Sequence, residues 1–157
     1  TRELFACGLR QAADYAASRS VMLGFETMET EFMNTVEKAM VWVDQMQSPY
    51  LQLYPDVGNL TNAALLNHGD VCQDLAQGRG HLAALHLKES RPGIFREVPF
   101  GEGHVNFTAV ARQAFSLGVR MFVGEFWYTG QENWRQILKD NRSFLQNVLD
   151  TAAGTLD

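Results

Sequence analysis

Four short apolar runs, each ending in an acidic or imidazole side chain, dominate the pattern of hydrophobic and polar positions. The runs 21–25, 51–55, 82–85 and 121–124 are followed by Glu26, Asp56, His86 and Glu125. Each run is short enough to be a buried strand, and stretches with helical spacing lie between them. Strands that alternate with helices pair in parallel, so their carboxyl ends meet on one rim of the sheet. The pattern therefore predicts an α/β fold in which the four side chains converge.

The boundaries of the elements follow from the same pattern. Strands are predicted at about 21–26, up to about 54, at 82–87 and at 120–126. Helices are predicted at about 2–19, from an N-cap at Thr30 to Gln47, from Thr61 to Gln77, from 107 to 118, and over 131–152. The segment 88–104 has no periodicity and contains several glycines and prolines, which is typical of a functional loop.

Four strand–helix units are half of an eight-stranded (β/α) barrel, whose catalytic groups lie at the carboxyl ends of the strands. A four-stranded parallel sheet has two unpaired edges. The chain also starts at Thr1 within a helical pattern, which suggests that an upstream part has been removed. We therefore expect either a missing N-terminal half or closure of the open edges by a second chain, for example in a homo-oligomer.

Composition narrows the function classes. The net charge of -5 argues against nucleic acid or an anionic membrane surface as a partner, because both attract basic patches. No apolar stretch has the length of a transmembrane span, and no signal peptide opens the chain. Cys7 and Cys72 have no metal-ligand spacing, so we expect two free buried thiols, as in a cytoplasmic protein.

Three carboxylates and one imidazole close together repel each other unless a cation holds them. The simplest interpretation of Glu26, Asp56, His86 and Glu125 is a site for one divalent metal ion. Mn²⁺ is the expected ion, and Zn²⁺, Co²⁺ and Mg²⁺ are the alternatives. The competing interpretation is four ordinary strand-end residues that face water.

A metal ion flanked by two glutamates suits chemistry next to a carbonyl group. The cation would polarise the carbonyl of a hydroxyketone, acidify the adjacent C–H and stabilise the resulting enediolate. Glu26 and Glu125 are the candidate catalytic pair, one removing a proton and the other returning it. Return on the opposite face inverts the carbon, whereas transfer to the neighbouring carbon isomerises a sugar.

Three further residues are candidates for substrate binding. Arg91 lies in the long loop and could bind the oxygens of a sugar phosphate, although it could equally pair with Glu97 or Glu102. Asn59 could donate to a substrate hydroxyl or cap the next helix, and Lys88 could contact substrate just beyond its strand.

Five stretches of the sequence also carry a resemblance to a known family. Residues 26–33, 54–60, 86–93, 95–103 and 124–127 resemble the L-ribulose-5-phosphate (L-xylulose-5-phosphate) 3-epimerases of the xylose-isomerase-like barrel superfamily. The resemblance implies inversion at C3 of a ketopentose 5-phosphate, with the metal held by Glu26, Asp56, His86 and Glu125 and the two glutamates as acid and base. Family chains are nearly twice this long, which implies that residues 1–157 are the C-terminal four βα units of a TIM barrel. Glu31 departs from the family pattern, which usually has Pro there.

Three rival functions remain open at this point. The first is an aldose–ketose isomerase of the hexulose-6-phosphate type on the same barrel. The second is a DNA-repair endonuclease of the same superfamily, but the acidic balance and only 4 histidines count against it. The third is a catalytically inactive half-barrel that binds metal or a sugar phosphate, or only dimerises.

Overall fold

The computed structural model describes residues 1–154, and within them strands alternate with helices. The strands are β1 Leu23–Phe25, β2 Leu51–Leu53, β3 Leu85–Lys88 and β4 Phe122–Glu125. The helices are α1 Arg2–Ser18, α2 Val36–Met46, α3 Val57–Asn67, α4 Val71–Gln77, α5 Phe107–Ser116 and α6 Trp134–Ala153. None of these helices is long and apolar enough to cross a lipid bilayer. The predicted α/β class is confirmed.

The four strands are parallel and run in chain order. β1 pairs with β2, β3 pairs with β4, and a parallel bridge between Asp56 and His86 joins the two pairs. The strands are shorter than predicted. At β1 the reason is local, because the N–H of Val21 donates to the carbonyl of Ala16 at the end of α1 and is thereby withdrawn from the sheet. Parallel order brings all four carboxyl ends to one rim, as expected.

The core lies between one face of the sheet and the helices. Leu51, Leu53, Leu85 and Leu87 alternate along β2 and β3 and are almost completely buried. They pack in one cluster with residues of α2, α4 and α5. Burying each of these side chains contributes about 1.5–3 kcal/mol. This packing holds the strands against the helices. The polar side chains at the rim are not part of this core.

The start of α2 differs from the sequence prediction. Thr30 is not the N-cap; the helix begins at Val36, after Thr35, whose side chain accepts from the N–H of Lys38. The carboxylate of Asp74, on α4, accepts from the first two helical N–H groups. A side chain from another helix therefore satisfies amide groups that Thr35 leaves free, which local spacing cannot reveal.

The region 61–77 is two helices rather than the single predicted one. His68 adopts a left-handed backbone conformation that ends α3, and Asp70 then caps α4. α3 also begins earlier than predicted, because the side chain of Asp56 accepts from the N–H of Asn59. Asn59 is thus inside the helix, and the alternative prediction that it caps the helix is wrong.

The two cysteines differ in exposure. Cys72 is half-buried and Cys7 is exposed on α1, and both are free thiols. The prediction of two buried thiols is therefore wrong for Cys7, which lies on the outer face of an amphipathic helix, and Cys72 is only partly buried.

Candidate metal centre

The four predicted metal-ligand side chains meet at one point on the rim. Glu26, Asp56, His86 and Glu125 each offer one ligand atom, and these atoms all lie within 4.8 Å of one another. Glu26 and Asp56 follow β1 and β2, Glu125 is the last residue of β4, and His86 is the second residue of β3, so the parallel order of the sheet is what gathers them. Residues nearly 100 positions apart in the chain thereby form one polar cluster, which we call the acidic cluster.

The acidic cluster is buried at its floor and open at its mouth. Asp56 is inaccessible to solvent, whereas the side chains of His86, Glu125 and Glu26 are 18%, 29% and 37% exposed. A small molecule can therefore approach the two glutamates and the imidazole from one side. Asp56 is reached only through the cluster.

His86 lies between the two glutamates. Its Nδ1 is 2.9 Å from Oε1 of Glu26 and 3.4 Å from Oε2 of Glu125. Because an ionised carboxylate only accepts hydrogen bonds, a hydrogen bond to Glu26 here needs the tautomer of His86 that has its hydrogen on Nδ1. The ring of Tyr54 packs against the imidazole with centroids 4.2 Å apart and restricts its orientation. A cation that used Nδ1 as a ligand would have to replace that proton.

Asp56 is fixed at the floor by neighbours on three segments. Its Oδ1 accepts from the N–H of Asn59 at 2.7 Å and lies 3.1 Å from Nζ of Lys88. Its own N–H donates to the hydroxyl of Thr27, which is also buried. Its Oδ2 is buried and has no hydrogen-bond partner among residues 1–154. A buried carboxylate oxygen without a partner is costly, and a metal ion is one group that could satisfy it.

Burial changes the acidity of this group. Desolvation raises the pKa of Asp56 to about 6, and the proximity of Glu125 adds to the rise, while Lys88 and the N–H of Asn59 oppose it. The charged form of Asp56 is therefore under-stabilised by the protein alone. A divalent cation at the free oxygen would favour the charged form.

The charges of the acidic cluster favour binding of a cation. Two carboxylates less than 5 Å apart repel each other by about 3 kcal/mol at an effective dielectric constant of 20. Glu26, Asp56 and Glu125 form three such pairs. Carboxylate oxygens with one imidazole nitrogen are donors suited to Mn²⁺, Zn²⁺, Co²⁺ or Mg²⁺. The donor set and the partnerless oxygen of Asp56 thus both fit a divalent metal ion.

The three predicted substrate-binding residues occupy different environments. Lys88 and Asn59 are buried beside the acidic cluster, and Nζ of Lys88 donates to Oδ1 of Asn59 at 2.8 Å. Arg91 is half exposed and pairs with Glu102, donating to its carbonyl at 2.9 Å and to its carboxylate at 3.0 Å. The structure therefore has the Glu102 pairing that the sequence left open.

Two residues that sequence analysis passed over support the cluster. Thr27 follows Glu26 directly, and besides its contact with Asp56 its carbonyl accepts from the side-chain amide of Asn59 at 2.8 Å. Tyr54 holds the ring of His86, and burial with the nearby charge of Glu26 raises the pKa of its phenol. The only available signal was position, since each residue is within two places of a strand-end ligand.

The raised pKa of Asp56 predicts a pH effect on stability. In the metal-free chain, Asp56 takes up its proton at about pH 6 when folded and at a lower pH when unfolded. Its contribution to the free energy of unfolding is therefore greatest below pH 4 and is lost as pH rises to 6. Urea unfolding in EDTA, compared with Asp56→Asn, should show the wild type losing on the order of 2 kcal/mol relative to the variant between pH 4 and 6. A difference that does not change with pH would contradict the raised pKa.

Comparison with known proteins places this arrangement in a family. Residues 1–148 match the family described as xylose isomerase-like TIM barrel. The SgbU protein of Escherichia coli (strain K12) is 41% identical over 134 residues, which are 81% of this chain and 46% of that protein. L-ribulose-5-phosphate 3-epimerase UlaE of Salmonella paratyphi C is 38% identical over 136 residues, 85% of this chain and 46% of that protein. The chain thus spans about half the length of the curated relatives that it matches.

Solved structures with this fold agree. A crystal structure of a D-tagatose 3-epimerase-like protein superposes with a TM-score of 0.79 at 17% identity, over 97% of this chain and 55% of that one. An L-ribulose 3-epimerase superposes with a TM-score of 0.72 at 18% identity, over 94% of this chain and 54% of that one. The resemblance noted in the sequence is confirmed, and the chain belongs to the xylose isomerase-like TIM barrel family.

Proposed function

We propose that this chain is the C-terminal half of a divalent-metal-dependent 3-epimerase acting on a ketopentose 5-phosphate, with L-ribulose 5-phosphate and L-xylulose 5-phosphate as the pair. The observation that carries the proposal is the convergence of Glu26, Asp56, His86 and Glu125 at one rim. The name of the relative UlaE supports the choice of substrate.

Glu26, Asp56, His86 and Glu125 would hold the metal ion, with Mn²⁺ as the first choice. When bound, it would supply Lewis-acid polarisation of the substrate carbonyl at C2. The chain's own residues do the proton chemistry. One glutamate takes the C3 proton while the C–H electron pair forms the C2–C3 double bond of an enediolate. The other glutamate gives a proton to C3 on the opposite face, and the C2 carbonyl re-forms.

The positions of Glu26 and Glu125 suit this division of roles. Each has a carboxylate oxygen within 3.4 Å of Nδ1 of His86, and both lie at the open mouth of the acidic cluster. Both carboxylates are within reach of a substrate that enters there, and Asp56 below them is shielded. Arg91 would contribute to binding the substrate's oxygens if it released Glu102, since its guanidinium offers bidentate geometry.

Completion of the barrel belongs to the same proposal. β1 and β4 each pair on one side only within residues 1–154, and Met22, Met121 and Val123 near these edges are exposed. A mostly apolar cleft of about 660 Å³ lies between β4 and α6. Strands from a preceding half-barrel, or from a second chain, would cover these surfaces and close the mouth of the site.

Isotope exchange tests the proposal. We would join the N-terminal half of Salmonella paratyphi C UlaE to residues 1–157, and incubate this fusion, and the chain alone, with Mn²⁺ and L-ribulose 5-phosphate in deuterated water. The expected result for the fusion is deuterium at C3 and appearance of the C3 epimer, followed by NMR. Migration of the carbonyl to C1 would instead establish an aldose–ketose isomerase. A fusion that binds Mn²⁺ but leaves C3 protonated would overturn the proposal, and turnover by the chain alone would show that the half-barrel suffices.

A further inference from the structure

Lys88 brings a buried positive charge into the acidic cluster. Its side chain is only 3% exposed, and its Nζ lies 2.8 Å from Oδ1 of Asn59, 3.1 Å from Oδ1 of Asp56 and 3.9 Å from Oε1 of Glu125. The sequence alone predicts that Lys88 contacts substrate. We propose instead that Lys88 is a positioning residue, a built-in counter-ion that holds the carboxylates together before metal binds and that lowers the affinity of the site for the metal. This inference rests on the metal site of the proposed function.

Protein groups surround the ammonium group. Its Nζ donates to Oδ1 of Asn59 at 2.8 Å and lies 3.1 Å from Oδ1 of Asp56, while Oε1 of Glu125, at 3.9 Å, is within ion-pair distance but beyond hydrogen-bond distance. The ring of Trp127 covers another side, with its centroid 5.8 Å from Nζ. A substrate hydroxyl would have to displace one of these groups from a buried position. Lys88 is therefore better placed to hold the carboxylates of the acidic cluster than to bind substrate directly.

The surrounding backbone is built to hold this side chain. A Cβ atom at Gly58 would lie 2.9 Å from the carbonyl oxygen of Lys88 and 3.2 Å from its Cε, so only glycine leaves room for it. Asn59, which accepts from Nζ, is itself tied by its amide to the carbonyl of Thr27. The ammonium group is thus fixed from α3 and from the segment after β1.

The contact between Lys88 and Asp56 involves only one of the two carboxylate oxygens of Asp56. Lys88 and the N–H of Asn59 occupy Oδ1, which leaves the buried Oδ2 without a partner among the described residues. Lys88 thereby balances the charge of Asp56 and leaves Oδ2 of Asp56 available to a metal ion. Charge arithmetic agrees, because three carboxylates and one ammonium leave two net negative charges, which one divalent cation would balance.

The proposal predicts two effects of the variant Lys88→Met: lower stability without metal and tighter binding of Mn²⁺. Without the ammonium group, the metal-free chain carries unbalanced carboxylates, so its melting temperature in EDTA should fall by about 5 °C or more. Mn²⁺ no longer competes with a neighbouring positive charge, so its dissociation constant should fall about tenfold. A side chain that only packed, or only contacted substrate, would not tighten metal binding.

Calorimetric titration with Mn²⁺ and thermal unfolding of the 157-residue chain measure both quantities. Lys139→Met removes an ammonium group from the exposed face of α6 and serves as the matched control, with no change expected in either. Weaker Mn²⁺ binding in Lys88→Met, or an unchanged melting temperature, would overturn the counter-ion role.

A double variant keeps the test decisive if Lys88→Met does not fold without metal. Lys88→Met with Asp56→Asn removes both charges of the pair and should recover most of the lost melting temperature. If the double variant is as unstable as the single one, Lys88 acts through packing and the proposal fails. If the wild type binds no Mn²⁺, the proposed function is overturned. The unfolding results in EDTA still test the counter-ion role of Lys88 in that case.

Discussion

Replacing either Glu26 or Glu125 with glutamine is expected to lower the rate of C3 inversion by about 10³-fold or more, because in the proposed mechanism each glutamate is the acid or base for one face of the carbon. Glutamine has nearly the same shape and keeps an oxygen for the metal, but it cannot take up a proton at neutral pH. The measurement is the rate of epimer formation by the fusion of the UlaE N-terminal half with this chain, followed by NMR in both directions.

Hydrogen exchange separates the two roles. If Glu125 takes the proton from one epimer, Glu26→Gln should still exchange the C3 hydrogen of that epimer with deuterium while failing to invert it. Glu125→Gln should show the same behaviour with the other epimer. Glu3→Gln on α1 removes an exposed carboxylate and is the control. Retention of more than a tenth of the inversion rate in either variant, with Mn²⁺ still bound, would contradict the two-glutamate mechanism.

The convergence of the acidic cluster could be expected from the sequence for a simple reason. Parallel strands share a rim, so polar residues at equivalent strand ends must approach each other wherever the strands are adjacent. The spacing of Glu26, Asp56, His86 and Glu125 therefore contained the geometry without any knowledge of side-chain packing. Apolar runs and helical periodicity predict the order of strands and helices, and this order is enough to predict that the four side chains converge.

Contacts between side chains of distant segments cannot be predicted from the order of strands and helices. Thr30 and Thr35 are both suitable N-caps by local chemistry, and Asp74 on another helix takes part in fixing the start of α2 at Val36. The break between α3 and α4 depends on a left-handed conformation at His68, for which no glycine at that position gives a signal. Local sequence limits the choices, and tertiary contacts select among them.

The role of Lys88 shows the same limit at the site. A lysine after a strand end can point to solvent, to substrate or into the rim, and its position alone does not distinguish these. The folded chain brings its Nζ to Asp56 and Asn59. Glu89, the next residue, organises the long loop rather than the acidic cluster.

Glu89→Ala is expected to destabilise the metal-free chain by about 3 kcal/mol or more, because three backbone N–H groups lose a charged acceptor. Glu89 is 2% exposed; its Oε1 accepts from the N–H groups of Ser90 and Val105 at 3.0 and 3.1 Å, and its Oε2 from that of Gly101 at 3.0 Å. The contacts join the end of β3 to the far side of the loop. Urea unfolding measures the loss, and amide hydrogen exchange shows where it arises.

Glu89→Gln is the matched variant for this prediction. Its side-chain oxygen can still accept from Ser90 and Val105, but its amide group would face the N–H of Gly101, so we expect a smaller loss than with alanine and faster exchange mainly at Gly101. Equal losses in both variants would mean that the negative charge matters more than the two retained hydrogen bonds. Unchanged exchange at Gly101 and Val105 in Glu89→Ala would refute the assignment, because a loop held by this carboxylate must open when the carboxylate is removed.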